Sequence, residues 1–351
     1  MMTTVRTSLK RTDDLIQEAL EQRMFTAAAL IVLSRDDIIH QGYYGTLGDG
    51  RTSATDENTL FDLASLTKII ATTPSWLLLS AKRPEILDEP LIKWFPEIPA
   101  DKAAITPRLL LAHSSGLPAW RPYYLMALKD DPQMFIRDKI FSEPLIYELG
   151  RGYVYSDLGF IVLSFIVLIE TSFSLDRFVR RFIYEPLSLE NDLMFRPRHA
   201  RDRIALTRVG DDPALVNDLN TRVLNGVSGH AGLFGTARGV TEMARQILIS
   251  IKSNEAFFDK TRVLEFCSPA GYHPGSSRGL GFDTNTPPSS SCGSRFSPSS
   301  VGHTGFTGTS LWIDPERELV VTLLTNRVYM GESDLRIKDF RPLVHDSIVE
   351  K

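Results

Sequence analysis

Cysteine is scarce in this chain of 351 residues: only Cys267 and Cys292 occur, with no C-x-x-C and no second pair. A disulfide framework and a cysteine-built zinc site are therefore excluded as organising principles. The seven histidines are scattered, without H-E-x-x-H or another close pair, so no metal and no other cofactor is expected. A surplus of positive charge is missing as well. Lys and Arg total 39 against 43 Asp and Glu, a net charge of −4, which offers no general pull toward nucleic acid or an anionic membrane. Long hydrophobic runs are absent too: Leu158 to Ile169, the longest nearly apolar stretch, falls short of the roughly 20 residues that span a bilayer. Met1 to Ala19 has basic residues with no apolar segment behind them, so it does not read as a secretory signal. The expectation is a soluble cytoplasmic protein whose partner is a small-molecule or peptide substrate.

What is present is ordinary globular composition, 43% apolar and 23% charged, in a chain long enough for about two domains. Leu9, Ile16, Ala19 and Leu20 recur at near-helical spacing, and Ala27 to Leu33 with Ile38 to Tyr44 reads as a hairpin. From about Ile69 the pattern is helical, at Trp76 to Leu79, Pro107 to Ala112, Gly159 to Ile169, Leu175 to Ile183 and Val240 to Ile251. Strand character returns at Leu280 to Phe282, Ser310 to Ile313 and Leu319 to Leu324, and Pro342 to Glu350 suits a short terminal helix. The Ser- and Pro-rich segment Thr284 to Ser300 reads as a flexible connection or hairpin loop. Strands at both ends around a helical middle predict an α+β fold: a sheet domain from residues 1–72 and 265–351, an inserted mostly helical domain over 73–264, and a site in the cleft between them.

Three motifs can carry chemistry. Ser65-Leu66-Thr67-Lys68 follows the extended run Thr59 to Phe61 and leads into a helix-capable segment. Residues three apart share a helical face, so the Ser65 hydroxyl and the Lys68 amine are expected to be neighbours. An amine with an ordinary pKa of about 10.4 becomes a usable base only where burial or nearby positive charge lowers that value, so the motif requires an enclosed site. Tyr155-Ser156-Asp157 precedes the helix starting near Leu158, where a capped helix is an equally simple reading. His303-Thr304-Gly305 stands before the strand Ser310 to Ile313, either as a substrate-docking edge or as a plain glycine turn. A fourth pattern, Gly275-Ser276-Ser277-Arg278-Gly279, satisfies the G-x-S-x-G elbow of α/β-hydrolases. Prolines precede it and an apparent strand follows it, the reverse of what an elbow needs, so it reads as a surface turn.

Taken together, Ser-x-x-Lys, a Tyr-x-Asn variant about ninety residues on, and His-Thr-Gly near the C-terminus resemble the serine β-lactamase and penicillin-binding-protein superfamily. The likeness is to the branch with class C β-lactamases, D,D-carboxypeptidases, muropeptide amidases and related carboxylesterases. It extends through Ile105-Thr106-Pro107, His113-Ser114-Ser115-Gly116-Leu117-Pro118, Glu185-Pro186-Leu187, Gly229-His230-Ala231-Gly232-Leu233-Phe234 and Gly302 to Thr309. The resemblance implies an antiparallel sheet flanked by helices, and an acyl-enzyme formed on Ser65 with Lys68 and Tyr155 sharing the proton traffic. Either of those two suits the role of formal base. It implies an oxyanion hole from the backbone N–H groups of Ser65 and Phe306, substrate contacts at Thr304, and His230 in the site wall. The implied substrate is a cell-wall-derived peptide, with short acyl esters as the alternative; a sensor or scaffold that has lost turnover is the alternative of another class.

Two departures from the pattern matter. Asp157 stands where many relatives have Asn, and a carboxylate beside Lys68 would hold its ammonium charged. His303 stands where β-lactamases usually have Lys, removing a fixed positive charge. Both argue against efficient β-lactam hydrolysis.

Overall fold

The computed structural model describes residues 9–48, 50, 52–126, 131–274, 276, 278–288 and 290–350. Strands β1 (Ala27–Ser34) and β2 (Asp37–Gly45) form the expected hairpin. After them come β3 (Phe61–Asp62), β4 (Leu193–Phe195), β5 (Leu233–Gly235), β6 (Asp283–Thr284), β7 (Val301–Thr304), β8 (Ser310–Asp314) and β9 (Leu319–Thr325). Six of them make an antiparallel sheet in the order β2-β1-β9-β8-β7-β6, so the N-terminal hairpin is sewn into a sheet whose other strands come from the C-terminal part. The short strands β3, β5 and β4 form a second antiparallel sheet.

The central strands read as continuous apolar runs because both faces are covered. Along β1, Ala28, Leu30 and Val32 face a cluster with Ile16, Phe340 and Val344, from helices Lys10–Glu21 and Ile337–Ile348. The alternate residues Ala27, Ala29, Ile31 and Leu33 face Val240, Met243 and Ile247 of helix Ala237–Lys252. That alternation is the two-residue period of a strand. The second cluster continues without a break into Phe160, Ile161 and Leu163 of helix Asp157–Thr171. One core therefore joins the sheet to the helical part, and helix Ala237–Lys252, inside the segment expected to be a separate helical domain, packs on the sheet.

The structure corrects two local readings and narrows a third. Leu280 to Phe282 is not a strand: the Leu280 N–H goes to the Phe266 carbonyl and the Gly281 N–H to Leu111, and pairing begins only at Asp283. The terminal helix starts at Ile337 and runs through Pro342, because Ile337, Phe340, Val344 and Ile348 form one buried stripe that outweighs the missing N–H. The connection from β6 to β7 is a hairpin loop held in place, with Asp346 accepting the Ser294 and Arg295 N–H groups and Phe296 buried. Among the described residues no single helix is long and apolar enough to cross a membrane.

Candidate active site

Ser65 sits in a single 3₁₀ turn, Ala64–Leu66, directly after β3. A wide turn, Lys68–Thr72, then leads into helix Thr73–Lys82. Ala64, just ahead of the serine, has φ +46°, a left-handed conformation that L residues other than glycine adopt at a cost of about 1 kcal/mol. The buried carboxylate of Asp62 holds it there, accepting the Ala64 N–H at 2.9 Å and the Asn217 N–H at 2.6 Å. The loop between β7 and β8 closes from the other side: Thr307 donates to the Asp62 carbonyl and Thr309 to the Leu63 carbonyl. Gly305 permits this approach, since a Cβ there would lie 2.6 Å from the Leu63 carbonyl oxygen.

The predicted Ser65–Lys68 contact is present, with Nζ donating to Oγ at 3.0 Å. The Lys68 side chain is fully buried, and its other two protons go to Asp157 Oδ1 at 2.7 Å and the His230 carbonyl at 3.3 Å. Burial works against the ammonium, but Asp157 and the phenol of Tyr155 outweigh it, and the net push on its pKa is upward. Asp157 therefore points at Lys68 and keeps it charged. The Tyr155-Ser156-Asp157 motif serves both readings. Ser156 caps helix Asp157–Thr171, its hydroxyl accepting the Gly159 N–H, while the flanking Tyr155 and Asp157 line the cavity that holds Ser65.

That cavity is about 750 Å³, and His230, His303, Thr304, Gly305 and Phe306 all line it. Every residue singled out from the sequence for the site thus comes to one place. His303 donates from Nδ1 to the Thr304 carbonyl at 2.7 Å, which leaves Nε2 as a bare, buried lone pair. Burial, with the nearby charges of Arg278 and Lys68, drives its pKa well below the ordinary imidazole value. His303 is thus neutral and does not replace the lysine charge. His113 is a structural residue, as expected: its Nδ1 accepts the Ser156 N–H at 2.9 Å, and its ring packs 4.6 Å from that of Tyr155. Trp120 and Tyr124 line the cavity, Tyr123 is buried in the core, and Arg177, Arg180 and Arg181 face solvent.

Sequence reasoning missed three residues. Asp62 anchors the turn before Ser65. Asp218 accepts from His230 Nε2 at 3.0 Å and thereby steadies the peptide whose carbonyl takes a Lys68 proton. Its one sequence signal is its place as cap of helix Leu219–Val223, where it accepts the Thr221 N–H. Arg278, hidden inside the G-x-S-x-G pattern, also lines the cavity; Gly275 and Ser277 of that pattern lie outside the described residues.

A family model described as Beta-lactamase matches residues 12–345. The chain belongs to the beta-lactamase family. It is 31% identical, over 91% of its length and 81% of the relative's, to an N-acetylmuramyl-L-alanine amidase of Bacillus subtilis. A protein of Salmonella agona, named provisionally as a D-alanyl-D-alanine carboxypeptidase, is 28% identical over 91% of the chain and 82% of its own. Among solved structures, a family VIII carboxylesterase superposes with a TM-score of 0.75 at 16% identity, covering 97% of this chain and 96% of its own. The chain is a hydrolytic enzyme of the serine β-lactamase fold.

Proposed function

We propose that the enzyme hydrolyses an amide of a cell-wall-derived peptide through an acyl-enzyme on Ser65, as a muropeptide amidase or D,D-carboxypeptidase. The observation that carries this is the 3.0 Å contact between Lys68 Nζ and Ser65 Oγ beside the cavity lined by Tyr155 and Thr304, in a chain similar to an amidase over nine-tenths of its length. Once the Lys68 ammonium has given up a proton to solvent, the neutral amine takes the proton of Ser65 Oγ as it attacks the carbonyl. The oxyanion is received by the N–H groups of Ser65 and Phe306. The carbonyls of Gly305 and Phe306 are already held from behind by Arg341 and Arg327, which fixes the orientation of this strand end. The leaving amine takes its proton from Lys68, with the Tyr155 phenol beside it, and water then cleaves the acyl ester. Thr304 contacts the substrate's carboxylate or carbonyl region, and the reaction belongs to cytoplasmic recycling of wall fragments.

The test is turnover of a muramoyl-L-alanyl peptide, a D-alanyl-D-alanine peptide and p-nitrophenyl butyrate by wild type and Ser65→Ala. Release from a peptide that vanishes in the variant supports the amidase or carboxypeptidase reading. Release from the ester alone supports a carboxylesterase, a reading favoured by the neutral His303 and by the fold shared with the carboxylesterase. No release from any of the three returns the sensor or scaffold alternative.

A further inference from the structure

Three of the four tryptophans are buried, Trp76 and Trp312 completely and Trp94 to 7% exposure. Trp120 is the exception: it is 41% exposed, and it lines the cavity that holds Ser65. Leaving so large an apolar side chain open to water forgoes the burial that stabilises the other three, and open aromatic surface in a concave site marks a place for a ligand. Tyr124 lines the same cavity beside it, with ring centroids 6.3 Å apart and ring planes at 47°. The segment that carries the pair is fixed from two sides. The Ser156 hydroxyl donates to the Pro118 carbonyl at 2.7 Å, and the Asp157 N–H to the Ala119 carbonyl at 2.8 Å. Opposite them, buried Asn220 donates to the Arg121 carbonyl at 2.8 Å and accepts the Tyr124 N–H at 3.1 Å. This wall is therefore built before any ligand arrives, which spares the ligand the cost of ordering it.

The groups that share the cavity with the rings select the ligand. Asp157 and Asp218 line it with side chains 20% and 24% exposed. An alkyl chain laid on the aromatic faces would take water from these carboxylates and return no hydrogen bond. An ammonium would find each of them already engaged, Asp157 by Lys68 and Asp218 by the His230 ring. A sugar ring suits both features: the C–H groups of one face pack on the aromatic rings, and hydroxyls around its edge donate to the open carboxylate oxygens. The chain also places such a ring close to the chemistry. Trp120 follows Ala119, whose carbonyl takes the Asp157 N–H, and Asp157 Oδ1 lies 2.7 Å from the amine that touches Ser65. An N-acetylmuramoyl-L-alanine amide has its sugar at such a place, joined to the scissile carbonyl through one lactyl unit, whereas a D-alanyl-D-alanine bond has only amino acids beside it.

We propose that Trp120 and Tyr124 form a saccharide subsite that holds the sugar of the acyl group beside Ser65, so that the enzyme selects amides of sugar acids over the same amides without the sugar. This rests on the reading of Ser65 as the nucleophile of the same cavity. It also separates the two activities proposed above, favouring the muramoyl amide over the D-alanyl-D-alanine bond.

The test is calorimetric titration of Ser65→Ala protein, which binds without turnover, with N-acetylmuramoyl-L-alanine and with (R)-lactoyl-L-alanine, which has the same amide and the same carboxylate but no sugar. The sugar-bearing ligand is expected to bind about tenfold to a hundredfold more tightly, the range for one ring buried on an aromatic face. Adding Trp120→Ala should bring that ratio down to about one to three, and Trp120→Phe, which keeps a smaller aromatic face, should retain part of it. Binding of the sugar-bearing ligand should also shift the tryptophan emission, because Trp120 alone of the four is open to solvent, and the shift should be absent in Trp120→Phe. A merely structural role for Trp120 would not produce that shift. No preference for the sugar-bearing ligand, a preference that survives Trp120→Ala, or an emission shift that persists in Trp120→Phe would overturn the proposal. Failure of the wild type to cleave N-acetylmuramoyl-L-alanine, or cleavage that persists in Ser65→Ala, would instead remove the proposed function, and the titration and the emission shift would still decide the subsite.

Discussion

Two opposed effects meet on the Lys68 amine: complete burial, which favours the neutral base, and the Asp157 carboxylate at 2.7 Å, which favours the ammonium. The carboxylate wins, so the resting pair is ionic and the base form requires the Lys68 ammonium to give up its proton. Asp157→Asn removes the charge and leaves burial in command, and the Lys68 pKa must then fall. The pH profile of kcat/KM checks this: its acidic limb should move to lower pH by about one to three units, the usual effect of one close opposite charge. An unmoved limb would show that Lys68 is not the group whose deprotonation starts the reaction. Ser65→Ala is expected to abolish turnover, measured with the same peptides. At this scale the sequence was highly legible, because Ser65, Lys68, Tyr155 and His303 sit in short motifs whose spacing is itself the geometry. Asp62, Asp218 and Arg278 were not legible. Their roles depend on which loop folds over which strand end, and nothing in their immediate neighbours encodes that.

The element that decides the site's shape is the loop from Gly305 to Thr309. Arg327 and Arg341 hold its carbonyls from behind, and Thr307 and Thr309 tie it to the strand end before Ser65. Gly305→Ala would drive a methyl group against the Leu63 carbonyl and push the loop away from the nucleophile. The expected result is a loss of kcat/KM of at least about tenfold, with destabilisation of about 1–3 kcal/mol, the usual cost of overpacking. Steady-state kinetics and urea unfolding of the same preparation measure both. The long elements were readable for a plain reason: β1 and β9 are buried on both faces, and helix Asp157–Thr171 is apolar nearly all round. Leu280 to Phe282 misled because an apolar triplet has the same pattern whether its amides enter a ladder or, as here, bond to the helical part. Pro342 misled in the opposite sense, since a proline signals a helix start and tertiary packing carried the helix through it.

For the whole molecule, buried titratable groups set how stability responds to acid. Burial pushes Asp62 up to about 6, so the folded state binds its proton more tightly than the unfolded chain, and this group's contribution falls as pH rises through that window. Burial pulls His345 down to about 4, so its contribution is intact above about pH 6.5 and is lost as pH falls toward 4. Each is worth on the order of 3 kcal/mol at 1.36 kcal/mol per unit, and the two nearly cancel. His113 and His303, both held well below the ordinary imidazole value, break the balance in the direction of His345. Urea unfolding should therefore show lower stability at pH 4.5 than at pH 7, and a steeper fall in Asp62→Asn; equal stability at the two pH values would contradict this balance. The architecture around these groups, a sheet closed by strands from both ends of the chain, was legible as a fold class. The unbroken core that joins it to the helical part was not, because helix Ala237–Lys252 looks the same in sequence whichever body it packs on. The central claim, an acyl-enzyme on Ser65, is tested most directly by acid-quenching the enzyme during turnover of a muramoyl-L-alanyl peptide and a D-alanyl-D-alanine peptide, then mapping the added mass. The account predicts the acyl mass of one of these substrates on the fragment that contains Ser65, lost on further incubation and absent in Ser65→Ala. Turnover without that adduct, or with the mass on any other residue, would contradict it.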